Sequence, residues 1–150
     1  MTILVKPNWS ELVTTSHIEA VEMVRRLVED QEYEEAVIGL HELEENMSQQ
    51  QRKALKSHLV RLMMHLLKWR YQPDKRSTSW TRTIVNARIE IRDAREAMPS
   101  LNEAFIESIW EKAFQDAIAQ AKAEMNLSRK DIFEPAPLTW EEVFEDEYLV

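Results

Sequence analysis

Between residues 68 and 82 the cations Lys68, Arg70, Lys75, Arg76 and Arg82 are interleaved with the aromatics Trp69, Tyr71 and Trp80. Such cations can neutralise phosphates, and an aromatic face can stack on an unpaired base. The pattern therefore suits nucleic acid or another anionic partner. The competing interpretation is structural. Trp69 and Trp80 would anchor the loop in a core, while the cations snorkel around them or pair with the acidic tail EEVFEDEY. That tail favours internal neutralisation. Arg88, Arg92 and Arg95 recur along one edge of a helical stretch. They form either a phosphate track or the solvated flank of an apolar stripe.

Histidine and carboxylate chemistry has two further footholds. His41, Glu44 and Glu45 fall within one helical turn, and His58 and His65 lie two turns apart further on. A chain reversal near Ser48 would bring some of them together as Zn, Fe or Mn ligands, with His41, Glu45, His58 and His65 as the set. The Glu-x-x-His spacing of bundle metal sites is missing, so no metal or other cofactor is expected. His65 then reads as a buried histidine with one partner, Glu42 or a backbone carbonyl, and His41 and His58 as rim residues. Arg52 and His58 share the Arg-x(4–6)-His spacing of small helical ribonucleases, in which such a pair handles the 2′-hydroxyl and the phosphate charge. Any helix rich in Arg and His produces that spacing by chance, and Lys53 stands where a polar neighbour is usual.

Other chemistries are excluded by composition. There is no cysteine, hence no disulfide, thiolate site or cysteine nucleophile, and a reducing cytoplasm is the expected setting. One glycine cannot build a phosphate-cradling loop, and no serine sits in a nucleophile-elbow context. MTILVKPNWS lacks an apolar stretch long enough for a signal peptide, and nothing approaches a membrane span. What remains is a helical chain with a strongly patterned charge. Residues 1–51 carry 3 Lys/Arg and 11 Asp/Glu, residues 52–95 carry 12 and 3, and residues 96–150 carry 4 and 13. Acidic stretches thus flank a basic centre, which is either neutralised within the fold or free for an anionic partner.

The elements that would position these residues are helices. With 44% apolar residues and a single glycine, the chain is expected to form one all-α domain over residues 1–150. Residues 1–9 read as an irregular arm, with Asn8 or Ser10 able to cap a short helical start. Ile18, Val21, Val24, Leu27 and Val28 repeat at helical spacing, as do Ala36, Leu40, Leu43 and Met47 around Gly39. Ser48 and Gln51 form a capping-box pattern that predicts a new helix over 49–71. Its face of Leu55, Leu59, Leu62, Met63, Leu66 and Leu67 would be central, and Pro73 would end it. A fourth helix is predicted over 80–98 with Trp80, Ile84, Ala87, Ile91, Ala94 and Met98 inward. Ser100 and Glu103 would cap a fifth, running to about Asn126. Residues 127–150 read as an extended tail packed on the bundle, ending in a short helix capped by Thr139 and Glu142. The expected architecture is an up-and-down bundle of four to five helices carrying that tail.

HLLKWRYQP at 65–73 and RSTSW at 76–80, with HELEE at 41–45, PSL at 99–101 and LTWEEVFEDEYL at 138–149, closely resemble a bacterial family abundant in cyanobacteria, "domain of unknown function 29". The resemblance extends from about residue 16 to the end of the chain. Many members carry glutamate where this chain has His41, which weakens any paired-glutamate site there. The resemblance implies an all-helical fold and no particular activity. The function expected is a non-enzymatic protein-interaction or regulatory module, with a protein partner or a second copy. The alternative is a nucleic-acid-binding or ribonuclease-like factor using residues 68–82.

Overall fold

The computed structural model describes residues 6–150. Among them it contains six α-helices, one 3-10 turn and no strand, and the expected all-α class holds. No helix among them is long and apolar enough to cross a membrane. The chain divides into two compact units, the first up to Gln51 and the second from Arg52 to Val150.

In the first unit Asn8 caps α1 (Trp9–Thr15), its side chain accepting from the Glu11 amide at 3.2 Å. Of the arm expected over 1–9, residues 1–5 lie outside the described residues, and Trp9 is helical and buried rather than irregular. The Trp9 indole donates from Nε1 to Glu35 Oε1 at 2.8 Å, which satisfies both polar groups inside the core. Ser16 caps α2 (His17–Glu29) by accepting from the Glu19 amide. Gln31 takes a left-handed conformation, φ 63°, and turns the chain into α3 (Tyr33–Tyr71). The hairpin is closed at its far end by His17 Nε2 and Asn46 Oδ1, 2.7 Å apart.

Gly39 lies inside α3 for a steric reason. A Cβ there would fall on the Trp9 ring, 2.6 Å from Cζ2. What comes close is an indole rather than another helix backbone, and its burial offsets the roughly 1 kcal/mol that glycine costs a helix. The core of this unit consists of Trp9, Val13, Ala20, Val24, Leu27, Ala36 and Leu43. Several residues expected to face inward do not: Ile18, Val21, Val28, Leu40 and Met47 are all exposed.

The predicted break at Ser48 is absent. α3 runs through it as one 39-residue helix with residues in both units. A Ser-x-x-Gln pattern makes a cap only where the serine leaves helical backbone angles. Here the surrounding EENMSQQQRKALK has no proline or glycine and is dominated by strong helix formers, which carry the helix onward.

The second unit is built on the far part of α3. Leu55, Leu59, Leu62, Met63, Leu66 and Leu67 are all buried, as the spacing predicts. α3 ends at Tyr71, and Pro73–Lys75 forms a 3-10 turn. Ser77 caps α4 (Thr78–Ala97), which buries Ile84, Ala87 and Ile91. Asn102, rather than Ser100, caps α5 (Glu103–Glu124), accepting from the Phe105 amide at 2.9 Å. The Ser100–Glu103 pattern is not used because the helix begins at Glu103 itself. Thr139 and Glu142 form the predicted capping box of α6 (Trp140–Phe144). Leu138 and Val143 insert into the core shared by α3, α4 and α5. Trp140 stacks on Trp110, ring centroids 5.8 Å apart, and fixes the tail beside α5.

Candidate functional site

The end of α3, the 3-10 turn and the start of α4 hold the basic-aromatic stretch, and the tail engages Arg70 within it. Arg70 lies where α3 passes the tail. Its Nη1 donates to the Ala136 carbonyl at 2.8 Å and its Nη2 to Glu142 Oε2 at 2.7 Å. Burial works against both charges. For Arg70 the hydrogen bond and charge of Glu142 outweigh it and raise the pKa. For Glu142 the bonds from Arg70 and from the Thr139 amide outweigh it and lower the pKa. Each partner keeps the other ionised.

Trp69 is buried, with Tyr148 of the tail edge-on at 5.6 Å and the Arg76 guanidinium over its ring at 5.0 Å. Arg76 Nε also donates to the Trp69 carbonyl at 2.9 Å. Lys68 is buried beneath Trp80, its Nζ 4.6 Å from the ring centroid and 3.6 Å from Glu124 Oε2. Lys75 and Arg82 are exposed. The stretch thus separates into two cations paired with carboxylates, Lys68 and Arg70, and three exposed ones, of which Arg76 lies over the Trp69 ring. Both tryptophans, Trp69 and Trp80, pack on the core.

The arginine edge of α4 follows the same logic. Arg88 donates from Nε to the Val143 carbonyl at 2.8 Å and from Nη2 to that of Glu142 at 3.2 Å, and burial lowers its pKa. Arg95 donates to the Leu101 carbonyl at 3.0 Å. Arg92 is exposed and pairs with its neighbour Asp93. Carbonyls at the end of α6 and just ahead of α5 find their donors here, which sequence spacing alone did not indicate.

The metal reading depended on a reversal near Ser48, and the backbone there is helical, within α3. Among the described residues no group of three His, Asp or Glu is arranged to hold an ion. His41 is exposed in the first unit, as is Glu45. His65 is half-buried and bonds through Nδ1 to the Arg61 carbonyl at 3.0 Å. Burial, helped by the charges of Lys68 and Arg61, lowers its pKa against the opposing pull of that hydrogen bond and Glu124. His58 Nε2 lies 3.9 Å from Glu90 Oε2, while its Nδ1 is buried without a partner. Arg52 is exposed.

Two surfaces were missed from the sequence. One is a groove of about 800 Å³ on α3 and α5, in which Lys53, Ser57, Arg61 and His65 face Gln120 and the Lys56–Asp116 ion pair. The other belongs to the first unit. Ile18 and Val21 of α2 and Leu40 and Met47 of α3 line an apolar groove of about 770 Å³, with Glu22 and Glu44 on its lining. Ile18 is 73% exposed and Leu40 53%. A signal for it was present. The apolar residues of α2 cover two adjoining stripes, Ala20–Val24–Leu27 and Ile18–Val21–Val28, more than one helix packed against it can bury.

Comparison with curated proteins and with solved structures yields no match. Residues 15–149 match a family described as "Domain of unknown function DUF29". With nearly the whole chain covered, the protein belongs to that family.

Proposed function

We propose that the protein is a non-enzymatic interaction module that binds another protein chain through the exposed apolar face of its first unit. The observation that carries this reading is the α2–α3 groove, whose walls are large apolar side chains facing solvent on a charged chain. Apolar surface of this kind is a cost to a free protein and is normally covered by a partner. The pairing of Lys68 with Glu124 and of Arg70 with Glu142 adds weight, because it answers two of the cations of residues 68–82 within the second unit. No cofactor enters this reading, and its setting is the cytoplasm.

A photo-crosslinking side chain at position 40, introduced in the cells that make the protein, tests it. A discrete protein adduct that disappears when Val21 is replaced by Asp is the expected result. No protein adduct, or one equally strong with Val21→Asp, contradicts the reading.

The α3–α5 groove supports a second reading, binding of a phosphate-rich single strand, with Lys53 and Arg61 at the groove and Lys75 and Arg82 open elsewhere in the same unit. Titration of single- and double-stranded oligonucleotides at low and moderate salt checks it. Affinity that falls steeply with salt supports phosphate contacts, and absence of binding at low salt removes this reading.

A further inference from the structure

From the shape and charge of the α2–α3 groove we infer that its occupant is a basic amphipathic helix of a partner protein. The inference rests on the interaction reading above and specifies the partner's chemistry. In α2 the exposed apolar residues Ile18, Val21 and Val28 stand three and seven apart. In α3 Tyr33, Val37, Leu40 and Met47 stand four, three and seven apart. Both spacings keep to one side of a helix. The two helices are antiparallel, since the turn at Gln31 joins one end and the His17–Asn46 contact the other. Met47 therefore lies towards Ile18, and Tyr33 towards Val28. The walls of the groove at its closed end, Ile18 and Val21 against Leu40 and Met47, begin two stripes that extend the length of the hairpin.

A two-helix surface with parallel apolar ridges accepts a third helix between them. At a rise of about 1.5 Å per residue, α2 spans about 20 Å, room for a partner helix of three to four turns. An extended strand would leave its backbone groups unpaired against this apolar floor, whereas a helix satisfies its own.

Charge selects the sign of that helix. Glu22 and Glu44 line the groove, while Glu29, seven residues beyond Glu22 along α2, is paired with Arg25 at 4.0 Å. The unit carries 11 acidic and 3 basic residues. A second copy docking by the same face would bring acidic rim against acidic rim, so self-association is disfavoured. A helix with Leu or Met on one face and Lys or Arg beside it meets both demands.

Fluorescence anisotropy tests this with three labelled 16-residue probes. One is an amphipathic Leu/Lys helix, the second has the same apolar face flanked by Glu, and the third has the Leu/Lys composition with its face scrambled. The full chain should bind the first at least tenfold more tightly than either of the others. Val21→Asp with Leu40→Asp should then weaken binding at least tenfold with an unchanged circular dichroism spectrum. This variant makes the unit more acidic, so charge attraction alone predicts tighter binding and groove docking predicts loss. Equal binding of the two Leu/Lys probes, preference for the Glu probe, or tighter binding by the variant overturns the inference. Sedimentation equilibrium completes the test: a dimer dissolved by the same substitutions would make a second copy the occupant and overturn it too. If the probes fail while position 40 still crosslinks to a protein, the choice of occupant is wrong and the interaction reading stands. If both fail, the interaction reading falls with it.

Discussion

The two units of this chain treat their apolar helix faces differently. Among the described residues the first buries seven apolar side chains and leaves eight large ones exposed. The second buries twenty and leaves six exposed, although it is the longer of the two. The difference lies in the cover. In the second unit Leu138 and Val143 of the tail close the core of α3, α4 and α5. The same tail provides the carbonyls and the carboxylate that engage Arg70 and Arg88. Among the described residues the first unit is a helical hairpin with the short α1 laid on it. A chain segment that completes a surface also neutralises it, and where none is present the surface remains available.

The largest test of this contrast compares two leucines of the same helix. Leu67→Ala should destabilise the second unit by about 3 kcal/mol, because a fully buried leucine leaves a cavity. Leu40→Ala should change stability by no more than about 0.5 kcal/mol, because its side chain already meets water. Urea denaturation followed by circular dichroism measures both, and similar losses would erase the distinction between a covered and an uncovered face.

The tail contact comes next. Glu142→Gln should cost about 1–2 kcal/mol, since it weakens a charge-assisted bond to Arg70. A double-mutant cycle with Arg70→Gln should show that the two losses are not additive. Additive losses would mean that the tail is held by its apolar residues alone. In the first unit Gly39→Ala should cost about 1 kcal/mol net. Displacing the Trp9 ring outweighs the gain in helix propensity. A more stable Gly39→Ala protein would show that Trp9 can move aside freely.

The smallest expected effect is with pH and belongs to the second unit. Burial holds the His65 pKa below the ordinary 6.5, so the folded chain binds that proton less readily than the unfolded chain. The contribution of His65 is therefore complete above 6.5 and is lost as pH falls through its folded value. Glu142 has the same sign at lower pH. Its contribution is complete above the ordinary 4.5 and is lost as pH falls through its depressed folded value. Stability should fall in two steps on acidification, and His65→Gln should flatten the first. An unaltered first step in that variant would assign it to another group.

Much of the second unit was legible in the sequence, because its periodicities admit one assignment. Leu55 to Leu67 form a face too broad to lie anywhere but in a core, and Thr139 with Glu142 makes its capping box with no competing helix upstream. Ser48 and Gln51 carry a comparable local pattern, yet helix formers on both sides override it. In α2 the apolar arc is wide enough for two assignments of the buried side, and the spacing of Ile18, Val21 and Val28 fits the wrong one equally well. The partners of Arg70 and Arg88 lie more than fifty residues away in sequence. The acidic tail announced only the sign of that contact, not which carbonyls would accept.

The central claim is that this protein meets its partner through the first unit and not through the basic stretch of the second. Backbone amide chemical shifts followed by NMR, while the Leu/Lys helix and then a single-stranded oligonucleotide are titrated into the full chain, test it most directly. The account predicts shifts with the helix at Ile18, Val21, Leu40 and Met47, and none with the oligonucleotide across residues 68–82. Shifts across 68–82 with the oligonucleotide, together with silence along α2, would contradict it.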